Sequence, residues 1–128
     1  MRSLVRETVF KFIFSKLFNQ NDEGLFDVLI KDLNSDDKSF ANDLLSAVES
    51  DYDDYVNKLS NLAIGYKFDR IYNVDKCLII LGMAELDKFS ETPSPVIINE
   101  IVNLSAKYST EKGMGFVNGI LAEYAKDR

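Results

Sequence analysis

The 128-residue sequence contains no histidine, no tryptophan and a single cysteine, Cys77. The absence of histidine excludes serine–histidine and cysteine–histidine catalysis as well as histidine-ligated zinc, and one cysteine excludes sites built from paired cysteines. A single cysteine also excludes a disulfide framework within one chain, so a reducing compartment is expected. With only two prolines and six glycines, the chain is neither a linker nor collagen-like.

Long hydrophobic runs are also missing from the sequence. The longest apolar stretch, residues 77–86, is too short to span a bilayer, and the first residues lack the apolar run of a secretory signal. Apolar residues make up 46% of the chain and charged residues 28%, which is typical of a soluble globular protein. We therefore predict a cytoplasmic protein that folds as one domain over residues 1–128 and does not enter a membrane.

Charge is distributed unevenly along the chain, although the formal net charge is −6. Residues 1–18 hold four bases and one acid, a net charge of +3, whereas residues 19–64 hold eleven acids and three lysines, a net charge of −8. Residues 65–128 are nearly balanced, with eight bases and nine acids. A basic first helix could bind nucleic acid while the rest of the surface repels it. Composition alone favours the simpler interpretation, in which these charges only solvate an apolar helix.

Apolar residues recur at helical spacing along the whole chain, and no run alternates with a period of two. The sequence therefore predicts an all-α bundle of about seven helices, in two helical subdomains (1–64 and 65–128) that share one core. The first predicted helix runs from Ser3 to about residue 19, the second covers 23–33, and the third follows a cap at Asn34. The fourth begins at residue 51 and is closed by Gly65, and the fifth covers 74–89. The sixth begins at Pro95, and the last covers 116–124.

One side of the first predicted helix has the composition of a nucleic-acid face. Glu7, Lys11, Phe14 and Phe18 fall along one stripe, so a cation would precede two aromatic rings. Cations contact phosphates and aromatic rings stack on unpaired bases, as in proteins that bind single strands. The alternative, favoured by the residues alone, is that both phenylalanines fill a second layer of the core.

Candidate catalytic and cofactor motifs are weak. Glu85 and Glu100 are not spaced as a catalytic pair, and a helix-surface or capping role is expected for each. The glycine-rich stretch 113–119 has Asn118 where a phosphate-binding fingerprint needs its third glycine, and no strand precedes it. Cys77 lies in an apolar run and is expected to be a small buried residue. The sequence thus predicts no catalytic residue, no cofactor and no metal site.

Four sequence blocks together resemble the NusB family of transcription antitermination factors. They are Val5-Arg6-Glu7, the segment from Val74-Asp75-Lys76 through residues 81–86, Pro95 to Glu100, and Phe116 to Leu121. The most specific pieces are Ile98-Asn99-Glu100 and Phe116-Val117-Asn118-Gly119, and the resemblance covers essentially the whole chain.

The resemblance implies an all-helical RNA-binding factor without enzymatic activity. Members of the family pair with NusE, a ribosomal protein, and bind the single-stranded boxA element of nascent ribosomal RNA transcripts. The complex joins other Nus factors on RNA polymerase and suppresses premature termination. A homodimer is a further possibility that the sequence leaves open.

The resemblance also implies roles for individual residues. Those expected to bind RNA are Arg2, Arg6, Lys11, Phe14, Lys112, Phe116 and Asn118. Those expected to contact NusE are Asp75 and Tyr72. The acidic segment 19–64 suits a basic ribosomal partner better than it suits RNA.

The sequence departs from the family pattern at several positions. The N-terminal arm has only Arg2 and Arg6, and Ile80 and Ala84 stand where the family usually carries an arginine and a tyrosine. These replacements predict a weakened polar network around Glu85, weaker RNA binding by the chain alone and heavier dependence on NusE. The alternative function is a protein-only interaction module with little RNA affinity.

Overall fold

The computed structural model describes residues 2–18 and 24–128, and this part of the chain is helical without strands. The helices are α1 Arg2–Phe18, α2 Leu25–Ile30, α3 Ser35–Ser50, α4 Tyr52–Leu62, α5 Asn73–Lys88, α6 Ser94–Tyr108 and α7 Glu111–Tyr124. Short 3₁₀ helices cover Phe68–Arg70 and Ala125–Asp127. The predicted all-α architecture is confirmed. No helix of the described ranges is long and apolar enough to cross a membrane.

Local capping explains several helix boundaries. The side chain of Asn34 accepts a hydrogen bond of 2.8 Å from the backbone N–H of Asp37, which confirms the predicted cap of α3. Pro95 lies in the first turn of α6, as predicted. Gly65 follows α4 with a φ of +85°, a left-handed conformation that favours glycine.

Three predicted boundaries were wrong. The last helix begins at Glu111, where Thr110 caps it, instead of at residue 116. The second helix ends at Ile30 instead of residue 33, because the backbone N–H of Leu33 turns back to the carbonyl of Ile30 over a 3.1 Å bond. Its predicted start at residue 23, like the predicted end of the first helix at residue 19, lies outside the described residues. Ser3 lies within α1 and donates to the carboxylate of Glu100 at 3.0 Å, so it does not cap the helix.

The central helix of the fold is α5, which packs against α1, α3, α4, α6 and α7. Every residue from Val74 to Leu86 is buried, because this helix is apolar on almost all sides and other helices surround it. Cys77 is completely buried, as predicted, and burial raises the pKa of its thiol to about 12. The cysteine therefore serves packing, since an unreactive thiol is expected at that pKa.

A buried ion pair joins α1 to α5. Arg6 is 5% exposed and Glu85 is 1% exposed. The Nε atom of Arg6 donates to both carboxylate oxygens of Glu85 at 2.8 and 2.9 Å, and Nη2 lies 2.5 Å from Oε2. The expectation that Glu85 lies on a helix surface was therefore wrong. An arginine from α1 supplies the partner that α5 itself lacks.

Candidate nucleic-acid interface

The two N-terminal arginines are held against the protein. The Arg6 guanidinium contacts Glu85 and lies 5.2 Å from the centroid of the Phe40 ring. The Arg2 guanidinium lies 4.2 Å from the same centroid and 3.7 Å from Asp37, with its side chain half exposed. The expectation that Arg6 contacts RNA phosphates conflicts with this structure, because its charge is buried and already paired. The Arg2 side chain remains accessible to solvent at the start of α1.

Tyr108, at the end of α6, is the centre of a cluster of cations and aromatic rings that come from α1 and α6. The Nζ atoms of Lys11 and Lys107 lie 6.0 and 5.5 Å from the centroid of its ring. Its hydroxyl donates to the carboxylate of Glu7, which also accepts from Lys107 at 2.6 Å. These hydrogen bonds, first that of Lys107 and then that of Tyr108, lower the pKa of Glu7. Lys107 is therefore fixed in place, with most of its side chain exposed.

Phe14 combines features of the two roles considered for it, stacking on RNA bases and filling a second layer of the core. It is partly buried and packs against the core, with its ring 6.1 Å from that of the buried Phe10. Phe10 in turn lies 5.2 Å from the ring of Tyr108. Phe14 thus extends the aromatic cluster along α1 and keeps one part of its ring on the surface. The side chain of Phe18 lies outside the described residues.

A cavity of about 530 Å³ lies where the segment 66–72 meets the N-terminal ends of α5 and α7. Three aromatic residues line it, Tyr66, Tyr72 and Phe116, and the rings of Tyr66 and Phe116 lie 5.2 Å apart. Two exposed cations, Arg70 and Lys112, also line it. The structure therefore brings Lys112 and Phe116, expected to bind RNA, together with Tyr72, expected to contact NusE.

Asp75 lies at the wall of the same cavity and is 5% exposed. One of its carboxylate oxygens accepts a hydrogen bond of 2.6 Å from the hydroxyl of Ser109. Burial raises the pKa of Asp75, and the hydrogen bond from Ser109 opposes this shift. Ser109 directly follows Tyr108 in sequence, so its hydrogen bond to Asp75 connects the wall of the cavity to the Tyr108 cluster.

Gly113 allows the close approach of α7 to Asp75. A Cβ atom at this position would lie 2.1 Å from the Ser109 hydroxyl oxygen and 3.0 Å from both carboxylate oxygens of Asp75. The side chain of Thr110 caps α7 by accepting from the N–H of Gly113 at 2.9 Å. The absence of a side chain at residue 113 therefore determines how Ser109, Asp75 and the start of α7 fit together.

Asn118 lies apart from this surface. It is exposed and lines a separate groove with Pro95, Ile98 and Ala122, between α6 and α7. Two residues along a helix correspond to a rotation of about 200°, so Asn118 and Phe116 project from different sides of α7. The structure does not bring Asn118 together with the other residues expected to bind RNA.

Sequence reasoning missed Lys107, Tyr108, Tyr66 and Arg70 as members of this surface. The first two end α6 as an adjacent cation and aromatic ring, a pattern that could have marked them. Tyr66 precedes a short 3₁₀ helix and Arg70 is its last residue, and only the fold shows that this segment faces α7.

The model of the NusB family matches residues 3–126. The chain belongs to the NusB family. It is 35% identical to the transcription antitermination protein NusB of Natranaerobius thermophilus, over 97% of this chain and 94% of that protein.

Two solved structures are similar to this NusB family member. The structure of T. maritima NusB matches 100% of this chain and 92% of its own with a TM-score of 0.90, and at 24% identity this likeness shows the fold. A crystal structure of antitermination factors NusB and NusE in complex with dsRNA contains a chain that matches with a TM-score of 0.82 at 26% identity. That match covers 99% of this chain and 97% of the other.

Proposed function

We propose that this NusB protein is a transcription antitermination factor that binds boxA-type single-stranded RNA of nascent ribosomal RNA transcripts as a heterodimer with NusE. The observation that carries the proposal is the pairing of cations with aromatic rings at the Tyr108 cluster and at the aromatic cavity, which Ser109 links through its hydrogen bond to Asp75. Support also comes from the antitermination role in the names of its relatives and from the NusB–NusE–dsRNA complex. The role is one of binding, without a catalytic step.

The chemistry of this surface suits unpaired RNA. Single-stranded RNA is recognised by base stacking on aromatic rings and by cations that contact its phosphates. Rings are available at Tyr108 and Phe116, and accessible cations at Lys11, Lys107 and Lys112. Arg2 adds a cation at the edge of the surface, whereas Arg6 stabilises α1 against α5.

NusE is proposed to bind next to the RNA. The acidic segment 19–64 has a net charge of −8, from eleven acids and three lysines, and complements a basic ribosomal protein. Tyr72 is half exposed at the edge of the cavity and is placed to reach a protein partner. Asp75 is withdrawn from the surface, so NusE would reach it only with a side chain inserted into the cavity. Other Nus factors and RNA polymerase would be contacted through the assembled complex.

Fluorescence anisotropy of a labelled boxA-type RNA tests the proposal, with a scrambled RNA as control, with and without NusE and at two salt concentrations. We expect sequence-selective binding that tightens with NusE and weakens with salt. Lys11→Ala should weaken it, whereas Lys126→Ala should not, because Lys126 is an exposed lysine outside the surface. Equal binding of boxA-type and scrambled RNA in the presence of NusE would contradict the proposal.

A protein-only interaction module is the second candidate, and two observations favour it. Arg6, expected to bind RNA, is buried and paired with Glu85, and the Lys107 ammonium is paired with Glu7, so neither cation is unpaired at the surface. Under this alternative the protein binds NusE, but the complex binds no more RNA than NusE binds alone.

A further inference from the structure

We propose that the aromatic cavity is a base-binding pocket that selects guanine in the bound RNA, with the Asp75 carboxylate accepting hydrogen bonds from the edge of the base. The inference rests on the proposed RNA-binding function and adds a base preference to it. It assigns Asp75 to RNA instead of to NusE.

Asp75 presents hydrogen-bond acceptor sites to the cavity. The residue is 5% exposed, and among the described residues Ser109 is its one hydrogen-bond donor. An ionised carboxylate has about four acceptor sites, two on each oxygen. Ser109 takes one of these sites, so both oxygens can still accept from a group that enters the cavity. A group that binds there must therefore be a hydrogen-bond donor.

The four RNA bases differ in the hydrogen-bond donors that they offer. On its Watson–Crick edge guanine presents two neighbouring donors, the N1–H and the 2-amino group. Adenine and cytosine each present one amino donor beside a ring acceptor, and uracil presents one N–H between two carbonyls. A carboxylate accepts and does not donate when ionised, so of the four bases guanine pairs with it in a bidentate manner.

The lining of the cavity suits a stacked base. Tyr66, Tyr72 and Phe116 supply rings for stacking, and stacking accepts any base. The volume of about 530 Å³ lies in the range of about 300–1,000 Å³ that is usual for small-ligand sites. The preference for one base would thus come from Asp75, while the aromatic residues provide affinity.

The charges around the cavity favour a nucleotide over a basic side chain of a protein. Arg70 and Lys112 lie at the cavity together with Asp75 and Glu111, so the site as a whole is not acidic. Two exposed cations would repel an inserted lysine or arginine, whereas they would attract the phosphates on either side of a bound base. The observations therefore favour RNA as the occupant.

Three labelled uridine heptamers, identical except for a central guanosine, inosine or adenosine, test the inference by fluorescence anisotropy at low salt. We expect the guanosine heptamer to bind about tenfold more tightly than the adenosine heptamer, as for a bidentate contact. Inosine lacks the 2-amino group, so its heptamer should bind with intermediate affinity. Asp75→Asn should abolish the preference for guanosine. The matched control Asp69→Asn, an exposed residue outside the cavity with the same change in charge, should keep it.

The outcomes separate this inference from the proposed function. Equal binding of the three heptamers by the unchanged protein, with boxA-type RNA still bound, would overturn guanine selection alone. Loss of NusE binding in Asp75→Asn with an unchanged base preference would assign the cavity to a protein side chain and also overturn it. If neither the heptamers nor boxA-type RNA binds with NusE present, RNA binding itself fails. An unchanged thermal unfolding curve for Asp75→Asn shows that the variant is folded.

Discussion

Arg6 and Glu85 form a buried ion pair in which the guanidinium donates three hydrogen bonds to one carboxylate. The two residues are 79 positions apart in sequence, and the pair fastens α1 to the central helix α5. Arg6 has the residue type expected at an RNA-binding surface, yet its environment is that of a structural residue. Substitution of Arg6 should therefore lower the stability of the protein without removing an RNA contact.

Arg6→Ala is expected to lower the free energy of unfolding by about 3–5 kcal/mol, because it leaves the Glu85 carboxylate buried without its partner. Arg2→Ala should cost less than about 1 kcal/mol, since the side chain of Arg2 is half exposed. Urea denaturation followed by circular dichroism measures both. A stable Arg6→Ala protein whose RNA affinity shows a salt slope smaller by about 0.7 would instead mark Arg6 as a phosphate contact.

Gly113→Ala and Gly119→Ala form a matched pair within α7. At Gly119 a Cβ atom meets nothing within 4 Å, so alanine should stabilise the helix by about 0.5–1 kcal/mol. At Gly113 the same atom would displace Ser109 and break its hydrogen bond to Asp75. We expect the Gly113 variant to be less stable than the Gly119 variant by more than about 1 kcal/mol in denaturant unfolding. Equal stabilisation by both substitutions would show that the contact is not tight.

The lowered pKa of Glu7 makes part of the stability depend on pH. Its carboxylate is stabilised by Lys107 and Tyr108 in the folded protein, so its folded pKa lies below the unfolded value. The resulting stability is present above the unfolded pKa and is lost as the pH falls through the folded pKa. Glu7→Gln should therefore be less stable than the unchanged protein at pH 7, and the difference should shrink in acid. A difference that is constant with pH would contradict this assignment.

The hydrogen bond between Tyr55 and Asp87 is a second polar contact at the core whose contribution to stability can be measured. Its side chain is 1% exposed, and its hydroxyl donates to the Asp87 carboxylate at 2.9 Å, which together with burial raises the pKa of Tyr55. Tyr55→Phe should lower the free energy of unfolding by about 1.5–3 kcal/mol, the range for a hydrogen bond to a charged group. Tyr72→Phe is the control, since Tyr72 is half exposed, and it should leave thermal unfolding unchanged.

The sequence predicts the fold well because its strongest signals are local. The continuous apolar run of α5 predicts a surrounded helix, and Asn34 and Pro95 mark helix starts by capping and backbone geometry alone. The length of α2 was mispredicted, because its apolar pattern continues past the last helical residue and Leu29 is exposed.

The candidate site could be predicted only in part, because its residues come from distant segments. Lys112 and Phe116 are only four residues apart in sequence, but Tyr66 joins them only when segment 66–72 packs beside α7. Likewise, no local pattern shows that Arg6 faces Glu85. A cation on a helix is equally suited to a phosphate or to a buried carboxylate, and the tertiary fold decides between them.

Mapping the RNA-contacting residues by NMR tests the central claim most directly. Amide and side-chain shifts of the isotopically labelled protein would be followed on addition of boxA-type RNA with NusE present and compared with those caused by NusE alone. We predict RNA-dependent shifts at Lys11, Tyr108, Lys112 and Phe116, and none at Arg6 or Asn118. Shifts confined to the groove around Asn118, or no shifts beyond those caused by NusE, would contradict the assignment of the RNA-binding surface.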